Sequence, residues 1–234
     1  MAEMNIPCGI SLDTANARLF DHLLDYCDDV PALFIDSGAF SEKAHKPFTV
    51  QDWRSKLRKY KVLTRAYSDR CVFVAPDKIG DQQESINRLR LYQPILQELM
   101  TQSHMIVPLQ KGDMTQAEMY EAAVELFSAD IVAGIPFKKA ATSYEEYQQF
   151  MRTTAPRKVH ILGVTPFGAR WRKIKQINEE FTAARVTFDG CRIRSIVGRD
   201  KPFTRGMHAR KHLPRHEAIY ETLMSIPQCF KVMS

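Results

Sequence analysis

Apolar and polar positions along the chain alternate between two kinds of segment. Short apolar runs recur, and each is followed by a longer stretch whose apolar residues return every three or four positions. The short runs predict strands over Ile6–Ile10, Ala32–Asp36, Cys71–Ala75, His104–Leu109, Ile131–Ile135, Val159–Gly163 and Arg185–Phe188, with a weaker eighth strand over Arg194–Val197. The stretches between them predict helices over Asp13–Cys27, Val50–Tyr67, Gln82–Met100, Thr115–Phe127, Ser143–Arg152 and Ala169–Phe181.

This alternation predicts an α/β fold built from parallel strands. Until the last pair, the strands start about 25 to 40 residues apart, the period of one β-strand and one helix. The 234 residues contain no linker, so we expect one domain over 1–234 that forms a single TIM-type (β/α)8 barrel. A doubly wound sheet is the alternative, because periodicity does not distinguish a closed sheet from an open one.

The positions of polar residues favour the barrel. In six successive units a polar residue or a glycine lies at or just beyond the carboxyl end of a strand. These positions are Asp36, Asp77, Gln110, Gly134-Ile135, Gly163 and Asp189. In a barrel these ends converge on one mouth, where active sites lie.

These segments, taken in order, resemble the tRNA-guanine transglycosylase superfamily. Asp36-Ser37-Gly38-Ala39-Phe40-Ser41 is similar to the family's D-S-G-G-F-Q block, and Leu109-Gln110-Lys111-Gly112 to its V-Q-G block. His160-Ile161-Leu162-Gly163-Val164 is similar to H-x-L-x-G-V, and Phe188-Asp189 to F-D. Each motif is short, but together they cover residues 33–190 in the family's order.

The resemblance implies a base exchange on guanosine. Asp189 would attack C1′ and displace the base, and Asp36 would be the general acid/base. Two carboxyl groups in these roles are what retaining cleavage of a glycosidic bond requires. The resemblance places the substrate-binding site at Ser37, Gly38, Phe40, Asp77, Gln110, Gly134, Ile135, Leu162 and Gly163.

Two departures separate this chain from the tRNA enzymes. Gly-Ala-Phe-Ser replaces Gly-Gly-Phe-Gln in the first block, and the zinc subdomain after the nucleophile is missing. The five cysteines form no C-x-x-C pair, and three histidines at four-residue spacing, His208, His212 and His216, are more typical of solvated or phosphate-contacting side chains. We therefore expect no metal and no cofactor beyond a free 7-deazaguanine co-substrate. The compact 7-deazaguanine DNA transglycosylases, which insert a base such as preQ0, are the branch that the chain resembles most.

Charge is distributed unevenly and favours a nucleic-acid partner. The net charge is +6, but residues 152–215 contain 16 Lys/Arg against 4 Asp/Glu, a net charge of +12. Clustered cations bind polyanions by releasing condensed counterions. The candidate phosphate-binding residues are Arg170, Arg172, Lys173, Arg192, Arg194, Arg199 and Arg205.

DNA is the expected substrate, and several alternatives remain. The chain could act on tRNA, hydrolyse the same bond as a guanine glycosylase, or bind nucleic acid without catalysis. Proteins that open the duplex are possible partners. With no membrane-length apolar run and no signal peptide, we expect a soluble cytoplasmic protein.

Overall fold

The computed structural model describes residues 8–13, 15, 17–39, 47, 49–137, 141–164 and 168–189. The strands in these ranges are β1 Cys8–Ser11, β2 Leu33–Asp36, β3 Cys71–Val74, β4 His104–Pro108, β5 Val132–Pro136, β6 Lys158–Leu162 and β7 Arg185–Phe188. The α-helices are α1 Ala17–Asp25, α2 Val50–Tyr67, α3 Gln82–Met100, α4 Gln116–Phe127, α5 Tyr144–Thr154 and α6 Ala169–Asn178, with 3-10 turns at Cys27–Asp29 and Ser68–Arg70. None of these helices is long and apolar enough to cross a membrane.

All seven strands form one parallel sheet in sequential order. Each strand pairs with the next one along the chain, from β1 to β7. A doubly wound sheet reverses its strand order at a switch point, so the sequential order excludes that alternative for the described strands. The predicted parallel α/β sheet is confirmed, and the eighth strand expected at Arg194–Val197 lies outside the described residues.

The sheet is strongly curled. The rings of Phe34 on β2 and His160 on β6 stack with their centroids 5.1 Å apart. In a flat sheet, strands four places apart would be separated by roughly 19 Å, at about 4.8 Å per step. The seven strands therefore form a half-barrel, and Phe34 and His160 lie on its concave face.

The two faces of the sheet have different neighbours because side chains alternate along each strand. Leu33 and Ile35 are fully buried in the main core, together with helix residues such as Leu57 and Leu63. The intervening positions form a second, smaller apolar cluster on the concave face, composed of Phe34, Val72, Val74, Ile106 and Val132. From α2 to α6, successive helices contact one another outside the sheet, as in a barrel.

Most helix boundaries agree with the sequence prediction. Thr115 caps α4, and Glu118 completes the capping box expected from the sequence. The first helix, predicted from Asp13, begins instead at Ala17. Asp13 lies before this helix, and its carboxylate forms an ion pair with Lys56 of α2.

Smaller differences occur near the chain's last described elements. α6 ends at Asn178 rather than at Phe181, because the Phe181 N–H bonds to the Asn178 carbonyl three residues earlier. β6 ends before Gly163, whose φ of +76° leaves the extended conformation.

Candidate active site

The residues expected in the active site lie at one edge of the half-barrel. Asp36 is the last residue of β2 and Gly134 lies in β5. Asp77 and Gln110 follow β3 and β4, and Asp189 follows β7 directly. Because the strands are parallel, all these carboxyl ends face the same way, as a shared site requires.

Asp77 is the centre of a buried hydrogen-bond network, here called the Asp77 network. The Ser37 hydroxyl donates to Asp77 Oδ1 at 2.8 Å, and Gln110 Nε2 donates to Asp77 Oδ2 at 2.8 Å. All three residues are buried. Burial raises the pKa of Asp77 to about 6, an effect increased by the charge of Asp36 and reduced by the two hydrogen bonds. Asp77 can therefore exchange a proton near neutral pH.

Helix α3 fixes the backbone around this carboxyl group. Arg88, only 2% exposed, donates from Nη1 to the Asp77 carbonyl at 2.7 Å and from Nε to Glu84 Oε1 at 2.9 Å. The buried Gln82 side chain donates to the Gln110 carbonyl at 2.8 Å. One helix thus positions the loops after both β3 and β4.

The Gln110 amide is hydrogen-bonded at both its nitrogen and its oxygen. Besides its bond to Asp77, its Oε1 accepts from the Gly80 N–H at 3.0 Å. A purine that bound here through the amide or the carboxylate would therefore replace hydrogen bonds that the protein already makes.

Asp36 is partly buried beside this network. Burial raises its pKa, and backbone N–H groups of Gly38 and Ser37 oppose that effect by bonding to the carboxylate. Asp13 raises the pKa of Asp36 further, and Lys56 lowers it. The raised pKa is a property expected of a general acid/base that works near neutral pH.

Asp13 and Lys56 were not identified from the sequence. Lys56 Nζ lies 2.7 Å from Asp13 Oδ1 and donates to the Ser37 carbonyl at 3.3 Å. The sequence predicted Asp13 at the start of one helix and Lys56 within the helix over Val50–Tyr67, and neither has a motif that would have marked it.

Asp189 lies in a more open position than Asp77. It is partly exposed, and its Oδ1 accepts from the N–H of the exposed Gly163 at 2.6 Å. Below it, the Thr187 hydroxyl donates to the Val159 carbonyl and lies 2.8 Å from His160 Nδ1. His160 is buried, and burial lowers its pKa to about 4.

The glycine and apolar positions of the expected site contribute through their backbone. A Cβ at Gly134 would lie 2.7 Å from Ile106 Cγ2, so close packing of β4 and β5 requires glycine there. The Gly134 carbonyl already accepts from Leu109 N–H, and the Leu162 carbonyl from Phe137 N–H. Both carbonyl groups are therefore already hydrogen-bonded within the protein.

Ile135 contributes no side chain to this edge. Its side chain is fully buried in the main core, on the face of the sheet that packs against the helices. Only its backbone can take part in a site on the concave side.

The expected phosphate-binding residues are only partly described. Arg170, Arg172 and Lys173 are exposed in the first turns of α6, and Arg170 also donates to the Phe137 carbonyl at 3.0 Å. The other expected contacts lie outside the described residues, namely Phe40, Arg192, Arg194, Arg199 and Arg205, as do His208, His212 and His216. No cluster of potential metal ligands occurs in the described part of the chain.

Comparisons with known proteins give little information on function. A scan against protein-family models and a search of curated proteins find no match to the chain. Among solved structures, it is similar to a crystal structure of N-acetylneuraminate lyase from Mycoplasma synoviae. The match has a TM-score of 0.48 and 13% identity, and it covers 78% of this chain and 60% of the lyase chain. The chain thus matches about three fifths of that protein's length.

Proposed function

We propose that the protein exchanges guanine in DNA for a 7-deazaguanine base through a covalent aspartyl-glycosyl intermediate. The observation that carries this proposal is the difference between its carboxyl groups at one edge of the half-barrel. Asp36 and Asp77 have raised pKa values beside hydrogen-bonding partners, whereas Asp189 is partly exposed at the end of β7. The proposed fold closes the half-barrel with an eighth strand near residues 194–197.

Asp189 acts as the nucleophile in this mechanism. Its carboxylate oxygen bonds to C1′ of the target nucleotide as the bond from C1′ to N9 breaks, and the electron pair leaves with guanine. The Gly163 N–H, 2.6 Å from Asp189 Oδ1, orients the attacking carboxylate. An ionised and accessible carboxylate is what such an attack requires.

Asp36 handles the proton in both half-reactions. Protonated Asp36 gives a proton to the departing guanine and becomes a carboxylate. The carboxylate then takes the N9 proton from the incoming deazapurine, which attacks C1′ and displaces Asp189. A raised pKa suits this exchange because burial makes the Asp36 carboxyl group hold its proton more readily than a free aspartate does.

The Asp77 network is the proposed site for the purine edge. Guanine presents N1–H and an exocyclic amine as donors, and O6 as an acceptor. Asp77 can accept from the donors, and the Gln110 amide can both accept and donate. These contacts would replace the bonds that Ser37 and Gln110 make to Asp77.

The nucleic acid is proposed to lie along the basic residues of α6. Arg172 and Lys173 are exposed near the start of this helix, which follows the carboxyl end of β6. The target guanine must leave the base stack to reach Asp189, so single-stranded or distorted DNA should react faster than an intact duplex.

One experiment tests the proposal against its rivals. The protein is incubated with DNA or tRNA carrying labelled guanine, with and without preQ0, and Asp189→Asn serves as the inactive control. Guanine release from DNA that depends on preQ0 supports the proposal. Guanine release from tRNA alone would show that the substrate is tRNA. Guanine release from DNA without preQ0 would identify a glycosylase. Binding with no release from either nucleic acid would leave a non-catalytic barrel.

A further inference from the structure

An ion pair outside the expected site lies against the loop that holds Asp36. Lys56 Nζ and Asp13 Oδ1 are 2.7 Å apart, and their side chains are only 18% and 11% exposed. Asp13 follows β1, and Lys56 lies on the first half of α2. The pair therefore joins two neighbouring elements at the edge of the sheet where β2 ends. It is called the Asp13–Lys56 pair below.

The pair contacts the backbone of the Asp36-Ser37-Gly38 turn. Lys56 Nζ donates to the Ser37 carbonyl at 3.3 Å. A Cβ added at Gly38 would overlap the Asp13 carboxylate and lie 3.2 Å from Lys56 Nζ. Gly38 also has a φ of +77°. Glycine is therefore required both for the turn and for the close approach of the pair.

The Asp13 carboxylate is incompletely satisfied. Its Oδ2 is buried and has no hydrogen-bond partner in the described part of the chain, whereas Oδ1 bonds to Lys56. A buried carboxylate oxygen without a donor leaves negative potential around it. The turn that binds Asp36 through the N–H groups of Ser37 and Gly38 lies directly against this oxygen.

Among the described residues, the charges that act on Asp36 come from three elements. Asp13 follows β1, Asp77 follows β3, and Lys56 lies on α2 as the cation among them. Tyr60, also on α2, lies with its hydroxyl 3.3 Å from the Asp36 carbonyl. Arg88 is directed to the Asp77 carbonyl instead. Within the described part of the chain, the electrostatic balance at Asp36 therefore depends on one cation and two anions.

We propose that Asp13 and Lys56 are positioning residues that set the proton affinity of Asp36. This inference rests on the proposed function, in which Asp36 moves the proton. Lys56 favours the ionised form of Asp36, and Asp13 limits that effect by pairing with Lys56 and adding its own negative charge. The pair thereby places Asp36 where it can both give and take a proton.

Removing the anion and removing the cation should shift the pKa of Asp36 in opposite directions. Asp13→Asn removes an anion and should lower the pKa of Asp36. Lys56→Met removes the cation, leaves Asp13 uncompensated and should raise it. Neighbouring charges in a partly buried site interact strongly enough for shifts of about one pKa unit, or tenfold in proton affinity.

Carbon-13 NMR titration of carboxyl-labelled aspartates measures this directly on the whole chain. The Asp36 resonance is assigned by its loss in Asp36→Asn. Asp28→Asn is the matched control for the anion, because Asp28 is almost fully exposed. Lys61→Met is the matched control for the cation, because Lys61 lies on the same helix and pairs with the exposed Glu98. Both control substitutions should leave the pKa of Asp36 unchanged.

Two further variants keep the test decisive if one protein does not fold. Lys56→Arg retains the cation and should titrate like wild type, and Asp13→Ser removes the anion with a smaller side chain. The inference would be overturned if both charge removals shifted the pKa of Asp36 in the same direction. It would also be overturned if those shifts were no larger than the shifts in the controls. The titration needs no substrate, so its failure is distinct from the absence of base exchange.

Discussion

Two parts of the same sheet edge differ in how they hold their carboxyl groups. In the Asp77 network, each carboxylate oxygen accepts a side-chain hydrogen bond, and α3 holds the surrounding backbone. At the end of β7, Asp189 is partly exposed beside an exposed glycine. The first carboxyl group is buried with both oxygens hydrogen-bonded, and the second is partly exposed.

The difference suits two tasks within one proposed reaction. Recognition of a base benefits from polar groups whose positions are fixed before the ligand arrives. Attack on a sugar within a polynucleotide requires a nucleophile that a bulky chain can reach. Substitutions at Asp77 and at Asp189 should therefore have different consequences for activity and for stability.

The largest expected effect on activity is at Asp189, at the end of β7. Asp189→Asn should lose the covalent adduct and at least about a thousandfold in exchange rate, because a neutral amide is a poor nucleophile. The asparagine Oδ1 can still accept from Gly163 N–H, so the fold and nucleic-acid binding should remain near wild type. Denaturing gels of the protein with labelled DNA measure the adduct, and wild-type exchange in this variant would mean that another group attacks C1′.

Asp36→Asn should reduce the exchange rate less than Asp189→Asn does. It removes proton transfer but leaves the nucleophile, and general acid–base groups typically contribute about 10²–10⁴-fold. We therefore expect slow adduct formation in the same gels rather than none. A rate equal to that of wild type would remove Asp36 from the mechanism.

In the Asp77 network, the main effect of a substitution should be on the free energy of unfolding and its pH dependence. The folded-state pKa of Asp77 is about 6, above its ordinary value of 3.8. Its contribution to stability is therefore fully present below pH 3.8 and is lost as the pH rises through 6, a change of about 3 kcal/mol. Asp77→Asn should lack this change, and urea unfolding between pH 4 and 7 measures it. A parallel pH profile for wild type and variant would show that Asp77 is not perturbed by burial.

His160, on the concave face of β6, should behave in the opposite way. Its pKa falls from 6.5 to about 4 on burial, so the folded state resists protonation that the unfolded chain accepts. Stability is then lost as the pH falls from 6.5 to 4, by about 3 kcal/mol. His160→Asn, whose amide can replace Nδ1 beside Thr187, should remove this loss.

The two variants sharpen the comparison when measured together. In wild type, the opposed contributions of Asp77 and His160 offset each other between pH 4 and 6. Asp77→Asn should therefore become less stable than wild type as the pH falls, and His160→Asn more stable. Slopes of the same sign in both variants would contradict the assignment of opposite shifts.

The sequence predicted the fold better than it predicted the contacts within the site. α2 and α3 have the predicted bounds, because their apolar periodicity and capping residues are local features. The Asp13–Lys56 pair could not be predicted, because it joins residues from two elements across a turn. Nor did any local pattern show that Gln110 is already bonded to Gly80 and Asp77. Such contacts depend on the curvature of the sheet.

The smallest expected effect concerns binding rather than chemistry. Arg172→Glu combined with Lys173→Glu should weaken binding of single-stranded DNA about tenfold, whatever its sequence, because phosphate contacts carry no base information. The slope of log affinity against log salt should also become shallower by roughly one to two, since fewer counterions are released. Fluorescence anisotropy at several salt concentrations measures both quantities.

Arg54→Glu combined with Arg58→Glu is the matched control, because these residues are exposed on α2 and the net charge changes equally. An equal loss in both double variants would attribute binding to overall charge, whereas a loss confined to the α6 pair would place the polynucleotide beside the open end of the site.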